Sequence, residues 1–427
     1  MTINNEHKKL NVPNKREQNQ TCLDSAEREG LRPKGNVPNL RFPEFQGEWK
    51  EHKLEDITAE IGDGIHATPI YDDNGTFYFV NGNNISEYGI IITATTQKVT
   101  GEEALRNNAS ALNSYSILLS INGTVGNVAL YKNESIMLGK SACYINVSSN
   151  INRNYIFYYL MMPKCQFYFT SELTGTTIKN LSLKSIRKTK VLLPNANEQS
   201  KIARLFDAIN ERIATQNKII EDLKKLKSAI IDYAINSLDT DFAKFGSLYE
   251  MAGEGGTPTT SNASFYDNGK IPFIKIDDLK KKYLTKNKDF ITELGLQKSS
   301  AWLVPTRSIL FSNGATIGEI TITTYPVCTK QGILGIVPKP NIDVEFLYYF
   351  MSSSYFKKAV SRIVTEGTMK TVYLKDINNI RCPIPTKEKQ LDIAKMPSAL
   401  NSKIDFEQSI LKLFGSQKQY LLRQMFM

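Results

Sequence analysis

The sequence predicts an α/β (mixed α+β) protein with a pseudo-twofold internal repeat, its two similar domains separated by two long antiparallel coiled-coil helices. Three observations carry this reading. The chain repeats itself at offsets of 190 to 192 residues: Ser116-Ile-Leu-Leu-Ser-Ile-Asn-Gly-Thr-Val-Gly126 returns as Ser308-Ile-Leu-Phe-Ser-Asn-Gly-Ala-Thr-Ile-Gly318, and Ile156-Phe-Tyr-Tyr-Leu-Met161 as Phe346-Leu-Tyr-Tyr-Phe-Met351. Pro194 with Glu198-Gln199 likewise answers to Pro385 with Lys389-Gln390. A period this long exceeds any stacked solenoid unit, so each copy is a domain. Within each copy, β-branched and aromatic runs are broken by Gly, Asn and Asp, which is strand and turn chemistry. Each copy ends in about forty residues of helical heptads, enough for a rod of roughly 60 Å.

In chain order, residues 1–36 are rich in Asn, Lys, Glu and Gln and are expected to form a flexible leader, with too few apolar groups to offset the entropy of ordering. The first domain spans 37–196, with order beginning at the aromatic segment Leu40-Arg-Phe-Pro-Glu-Phe-Gln-Gly-Glu-Trp49. Its clearest strands are 77–80, 90–93, 115–121 and 128–131, and a helix over 154–162 is stopped by Pro163. Residues 197–237 form the central spacer helix. One seam position holds Ile202, Ile209, Gln216, Leu223 and Ile230, the other Leu205, Arg212, Ile219, Leu226 and Tyr233, while Phe206, Ile213, Ile220 and Ala234 widen the stripe. Seven basic and six acidic residues nearly cancel along it, so it packs against protein rather than phosphate. The second domain spans 238–386. The C-terminal spacer helix, 387–427, presents Ile393, Leu400, Ile404 and Leu411, and Pro397 is expected to interrupt and kink it.

Composition narrows the function. Fifty-three basic residues against 43 acidic ones leave a net charge of +10, which favours a polyanionic partner such as nucleic acid. No apolar run approaches membrane-spanning length and the first eleven residues are polar, so a cytoplasmic location with no membrane partner is expected. Cys22, Cys143, Cys165, Cys328 and Cys382 form no Cys-x-x-Cys pair and have no nearby histidine, which argues against a disulfide framework or structural zinc. His7, His52 and His66 all fall in the first copy or its leader, so no histidine acid or base recurs in both halves. Gly139-Lys-Ser141 lacks the upstream glycine of a phosphate loop, since Glu134 stands there. Gly62-x-Gly64-x-x-Ala67 is dinucleotide-like only as a string, with no expected strand before it or helix after it. Pro43-Glu44 with Glu51-His-Lys53 resembles a nuclease carboxylate and lysine set, but Phe42, Phe45 and Trp49 make it a packed segment. No catalytic or metal-ligating residue is assigned.

The ordered motifs resemble one family, the specificity subunits of type I restriction-modification systems. Leu40 to Trp49 followed by Lys53-Leu-Glu-Asp-Ile57 is similar to its opening. Gly253-Glu-Gly-Gly-Thr-Pro258 with Ile271-Pro-Phe-Ile-Lys-Ile-Asp-Asp-Leu279 resembles the start of a target recognition domain. Gly175-Thr-Thr, Leu193-Pro194 and Glu198-Gln199 resemble the exit into the helical spacer. The first domain departs from the pattern with Ile61-Gly-Asp-Gly-Ile-His-Ala-Thr-Pro69 in place of the fuller Gly-Gly-Thr-Pro. The resemblance implies that each domain reads one half of a bipartite, asymmetric site on double-stranded DNA, and that the helices set the unread gap. It implies as partners methylating (M) subunits and translocating nuclease (R) subunits, which would use S-adenosylmethionine, ATP and Mg, while this chain holds no cofactor and catalyses nothing. A self-contained restriction-methylation enzyme, or a coiled-coil adaptor or RNA-binding protein, are the other readings.

A DNA reader needs short polar side chains on tight loops and basic groups to hold the backbone. In the first domain the candidates are Gly64, His66, Thr68, Asn81, Asn83, Asn84, Asn122, Thr124, Lys140, Thr176, Thr177 and Lys179. Their counterparts in the second are Gly256, Thr257, Lys275, Asp277, Asn313, Thr316, Lys330, Gln331, Thr368, Lys370 and Thr371. Asn-Gly and Gly-Thr runs are equally ordinary turn chemistry. Lys140 and Lys330 recur at the same point of both copies, which suits a phosphate contact.

Overall fold

A computed structural model of the chain describes residues 35–107, 109–175, 179–314, 316–365 and 370–427. Nearly all of the expected leader, and the candidates Thr176, Thr177 and Thr368, lie outside the described residues. The chain forms two compact units, one of residues up to Ala214 together with Lys412–Met427, the other of Thr215–Leu411. The division falls inside the long helices, because each helical half packs on the domain nearest to it.

The first unit is built on an antiparallel sheet in the order Thr58–Asp63, Ala142–Val147, Ser116–Ser120, Val128–Leu130. The period-two alternation of a strand divides the buried run Ser116–Ser120 between two cores. Ile117 and Leu119 join the large cluster of Trp49, Tyr155, Phe157, Phe169 and Phe206 under the helices. Leu118 faces the other way, towards Val80, Ile136 and Leu138. Those last residues belong to a second sheet, Lys98–Val99, Phe77–Val80, Ile136–Leu138, whose inner pair is parallel. The second unit repeats the plan. Ile309 and Phe311 point into the cluster of Phe245, Phe346, Phe350 and Phe356, while Leu310 points towards Ile274, Leu279 and Leu284.

The expected strand 90–93 is corrected by the structure. Only Gly89–Ile90 pairs, with Ile85–Ser86, and Ile91 and Ile92 are exposed because no neighbouring strand reaches them. In the second unit the corresponding segment supplies Tyr283–Leu284 as a fifth strand of the main sheet, paired in parallel with Ile320–Thr323. A strand, Thr58–Asp63, also runs into Gly62-x-Gly64, contrary to expectation, but no helix follows it.

Asn152 caps the helix Arg153–Met161 by accepting from the Tyr155 N–H at 3.0 Å. That helix ends at Met162, whose extended backbone is what a following proline favours. Pro163 then opens a further helix, Pro163–Ser171, at its first turn, where a missing N–H costs nothing. Asp343 and Ser353 do the same capping for Val344–Ser352 and Ser354–Ile363.

The long helices span Ala196–Asn236 and Lys387–Met425. A buried glutamine braces the start of each. Gln199 donates to the Pro194 carbonyl at 2.9 Å and accepts from the Asn152 N–H at 3.0 Å; Gln390 donates to Pro385 at 2.9 Å and accepts from Asp343 at 2.7 Å. Arg41 adds a bidentate grip on fully buried Glu198, at 2.7 and 2.8 Å. Within the first unit, Phe206 and Phe426 stack at 5.6 Å. Within the second, Gln216 meets Glu407, Lys227 meets Asn401 at 3.1 Å, and Ile235 shares a cluster with Ile393, so the helical halves there run antiparallel.

Two expectations about these helices are corrected. The buried stripe of the first runs through Ile202, Phe206, Ile209, Ile213, Gln216 and Ile220, so its second seam lies one residue later than the heptad count had it. Ile219, Leu226 and Tyr233 are therefore exposed by 40, 47 and 77%, and Leu205, Leu223 and Ile230 are half-buried at the edge. The second helix keeps Ile393 and Ile404 buried and Leu400 and Leu411 half-buried, alongside the polar Glu407 and Lys418. Pro397 does not interrupt it: the helix continues through Pro397, whose ring is buried, and the next residue, Ser398, is fixed by hydrogen bonds to the domain.

Candidate nucleic-acid interface

In each unit the loops leaving the strands converge at one end. In the first, Asn122 and Thr174 both bridge to Asn180, Thr124 donates to the Gly82 carbonyl at 3.2 Å, Ser141 donates to Asn81 at 2.8 Å, and Ile65 bridges to Gly139. The second gathers the equivalent loops. Gly314 and Thr365 bridge to Thr371, the Asn313 N–H donates to Gly332, the Gln331 N–H donates to Thr257, and the Lys330 N–H donates to Ile274. Folding thus brings Asn81, Asn122 and Thr124 into one loop cluster in the first unit, and Thr257, Asn313, Lys330, Gln331 and Thr371 into one in the second.

The repeated Ser-x-x-x-Thr-x-Gly pattern, Ser120 to Gly126 and Ser312 to Gly318, turns out to be loop architecture. The buried hydroxyls of Ser120 and Ser312 donate to the carbonyls of Thr124 and Thr316. Each also accepts an N–H from across its loop, of Asn127 at 3.3 Å and Glu319 at 2.8 Å. Gly126 and Gly318 close the turns at φ +96° and +104°, where a side chain is strained.

Three candidates sit in the scaffold rather than on its surface. A Cβ on Gly64 would stand 2.3 Å from the Gly139 carbonyl oxygen and one on Gly256 2.3 Å from the Ala301 nitrogen, so both glycines admit neighbouring backbone, not DNA. Asn313 is buried and spends its amide N–H on the Val372 carbonyl at 3.1 Å. Asn81 and Asn84 are half-buried cap residues, Asn84 accepting from the Asn81 N–H at 3.0 Å. Thr257, Asn122 and Thr371 are half-buried in the loop contacts described above.

The side chains left facing solvent are His66, Thr68, Asn83, Thr124, Lys140 and Lys179 in the first unit. In the second they are Lys275, Asp277, Thr316, Lys330, Gln331 and Lys370. His66 is held 2.9 Å from Asp63 and Lys275 2.8 Å from Asp289, while Lys140 and Lys330 follow the equivalent edge strands Ile136–Leu138 and Cys328–Thr329 in their respective units. The sequence reading passed over Lys281, Lys286 and Lys288, which extend the basic surface beside Lys275. Their signal was five lysines within nine residues, Lys280 to Lys288, of which Lys282 is buried.

Chemistry elsewhere is quiet. Glu44, one half of the nuclease-like string, is engaged by Lys201, whose ammonium lies 4.6 Å above the Phe42 ring. Glu51 pairs with Lys190 at 2.8 Å. Burial pushes the thiols of Cys143, Cys165 and Cys382 far above their ordinary range and that of Cys328 up to about 11, so none is a thiolate at neutral pH. Among the described residues no helix is long and apolar enough to cross a membrane.

Twin loop clusters, each at the head of a long helix, have a match among known proteins. The model of the type I restriction modification DNA specificity domain matches the chain twice, over residues 46–225 and 239–413. The chain belongs to that family. Each match takes in one specificity domain and much of the helix that follows it. The MjaIX specificity subunit of the type I restriction enzyme of Methanocaldococcus jannaschii is 23% identical over 363 residues, covering 79% of this chain and 83% of that one. The EcoR124I/EcoR124II specificity subunit of Escherichia coli is 24% identical over 206 residues, 46% of this chain and 50% of its own. Among solved structures, the S subunit of a type I restriction-modification system from M. genitalium aligns with a TM-score of 0.53 at 16% identity. It covers 92% of this chain and 99% of that one. That S subunit shares the fold of the present chain.

Proposed function

We propose that the chain is the DNA-reading subunit of a type I restriction-modification complex, each domain recognising one half of a bipartite, asymmetric site. One observation carries the reading. A single chain bears two copies of the same loop scaffold, and the side chains that scaffold exposes differ between copies, as two different half-sites require. Short polar side chains on those loops read base edges, and Lys140, Lys179, Lys330 and Lys370 neutralise phosphates. The long helices set the number of unread base pairs. Methylating subunits cover the outward apolar residues of the helices, such as Ile219, Leu226 and Phe406, and nuclease subunits join them. Those partners supply S-adenosylmethionine, ATP and Mg chemistry, in the cytoplasm, and this chain selects where it acts.

Sequencing the modified adenines in cells that carry the chain with its methylating partner reads the target. Exchanging residues 58–190 for those of another family member changes one half of that target and leaves the other as it was; alteration of both halves refutes modular reading. Four residues inserted after Gln216 lengthen the gap between halves, and an unchanged gap removes the spacer role.

A further inference from the structure

The two units differ most where the chain leaves the inner parallel strand. In the first, Asn81 caps a turn by way of Asn84 and leads into Ile85-Ser-Glu-Tyr-Gly-Ile-Ile-Ile-Thr-Ala94. In the second, Lys275 occupies the same capping position by way of Asp278 and leads into Leu279-Lys-Lys-Lys-Tyr-Leu-Thr-Lys-Asn-Lys288. Ile85 and Leu279 both follow the capped turn and are both buried, so they hold equivalent scaffold positions. The charges that follow are not equivalent: segment 85–94 carries one glutamate and no cation, segment 279–288 five lysines and no anion.

Of those five, Lys282 turns inward to Glu345, Tyr349 and Ser398. Lys280 lies 3.4 Å from Asp277. Lys281, Lys286 and Lys288 are exposed and have no hydrogen-bond or ion-pair partner among the described residues. They line an open groove of about 620 Å³ together with Lys275 and Lys280 and with the carboxylates of Asp277, Asp278 and Asp289, so that lysines outnumber aspartates there by five to three. Lys275 in turn lies beside Lys330, because the strands ending at Ile274 and Thr329 are paired in parallel. The excess charge is therefore continuous with the loop cluster. Ammonium groups gathered on one face repel each other, and a row of phosphates is the polyanion that relieves this along a line.

We propose that segment 279–288 of the second unit is a phosphate-backbone contact beside the base-reading loops, and that its counterpart, 85–94, is not. The inference rests on the DNA-reading function proposed above and divides its energetics. The second domain carries the larger share of salt-dependent affinity, while the first depends more on contacts within its loops.

The test uses the full chain assembled with its methylating subunits, a duplex bearing the target, and a scrambled duplex. Binding is measured from low to physiological salt for the wild type and for the K281Q/K286Q/K288Q variant. The slope of log affinity against log salt is expected to fall by roughly 2.7, about 0.9 for each lost phosphate contact. Doubling the salt then weakens the variant about six-fold less than the wild type, and its preference for target over scrambled duplex is unchanged. As a converse, I92K/A94K in the first unit steepens the slope. An unchanged slope in both variants overturns the inference. Loss of assembly with the methylating subunits, rather than of salt dependence, also overturns it by assigning the lysines to an acidic protein surface. A wild type that binds both duplexes equally instead sinks the DNA-reading function, and the slopes still report whether the lysine segment touches phosphate.

Discussion

The two units solve one anchoring problem with opposite chemistry. In the first, the long helix brings the carboxylate, Asp207, and the domain brings neutral donors, Tyr158 at 2.7 Å and Asn154 at 2.9 Å. In the second, each of these positions recurs 191 residues later with the roles exchanged: Ser398 is on the helix and Glu345 and Tyr349 are on the domain. Lys282 completes the second set. Its side chain is 2% exposed, bonds Tyr349 and Ser398 at 2.9 Å each as well as Glu345, and lies within 5 Å of the rings of Tyr283 and Tyr349. The difference teaches that the repeat preserves where domain and helix are joined, not which residue carries the charge. One anchor is a half-buried carboxylate with neutral donors, the other a half-buried carboxylate paired with a buried lysine.

That contrast can be broken most severely at Lys282. Removing the buried lysine leaves its partner's charge uncompensated, so Lys282→Met is expected to cost about 3–5 kcal/mol. Asp207→Ala in the first unit should cost less, about 1–2 kcal/mol, because the Tyr158 hydroxyl retains Asn210 at 2.9 Å. Chemical denaturation with hydrogen exchange assigned separately to each unit, residues 215–411 for Lys282→Met and the first unit for Asp207→Ala, reads the difference, and equal losses would erase the distinction.

Acid sharpens the same comparison. Burial alone would raise the Glu345 carboxyl, but hydrogen bonds from Lys282, Tyr283 and Ser398 outweigh it and hold it below the usual carboxylate range. A folded value below the unfolded one of about 4.3 means that the stabilisation is present above that pH. It is lost as pH falls through the depressed value. Protection in the second unit should drop in that acidic window, and Glu345→Gln should flatten the drop there.

The glutamine braces should respond alike. Gln199→Ala and Gln390→Ala each leave a buried backbone N–H, of Asn152 or Asp343, without its acceptor, for about 1–3 kcal/mol in either unit. Markedly unequal losses would show that the two helix starts are not equivalent. Smallest of all, Ile219→Ser and Leu226→Ser should change the stability of the isolated chain by no more than about 0.5 kcal/mol, since both side chains are exposed. A large loss in thermal melts would restore them to the seam.

How much of this could be read beforehand depended on what each residue answers to. The pairing of Gln199 with Gln390 was visible as a repeated motif, yet its job as a brace was not, because its partners Asn152 and Asp343 lie 47 residues away in sequence. The heptads revealed the helices but not their phase. Ile219 and Ile220 are equally apolar, and only the partner surface decides which one is covered. Asn313 and Asn83 looked alike as loop asparagines, but Val372 claims the first and leaves the second in solvent. In the same way Lys281 and Lys282 are neighbours in one run, and Glu345 turns one of them inward.

What the sequence determined by itself was the duplication, the α+β class, the long terminal helices and the family, because each is written in local order, spacing and composition. Tertiary structure alone decided which loops meet, which asparagines and glycines are scaffold, which helix face is buried and which lysines remain free. Those outcomes depend on groups distant in the chain competing for the same hydrogen bonds and the same apolar surface, a contest that local sequence does not record.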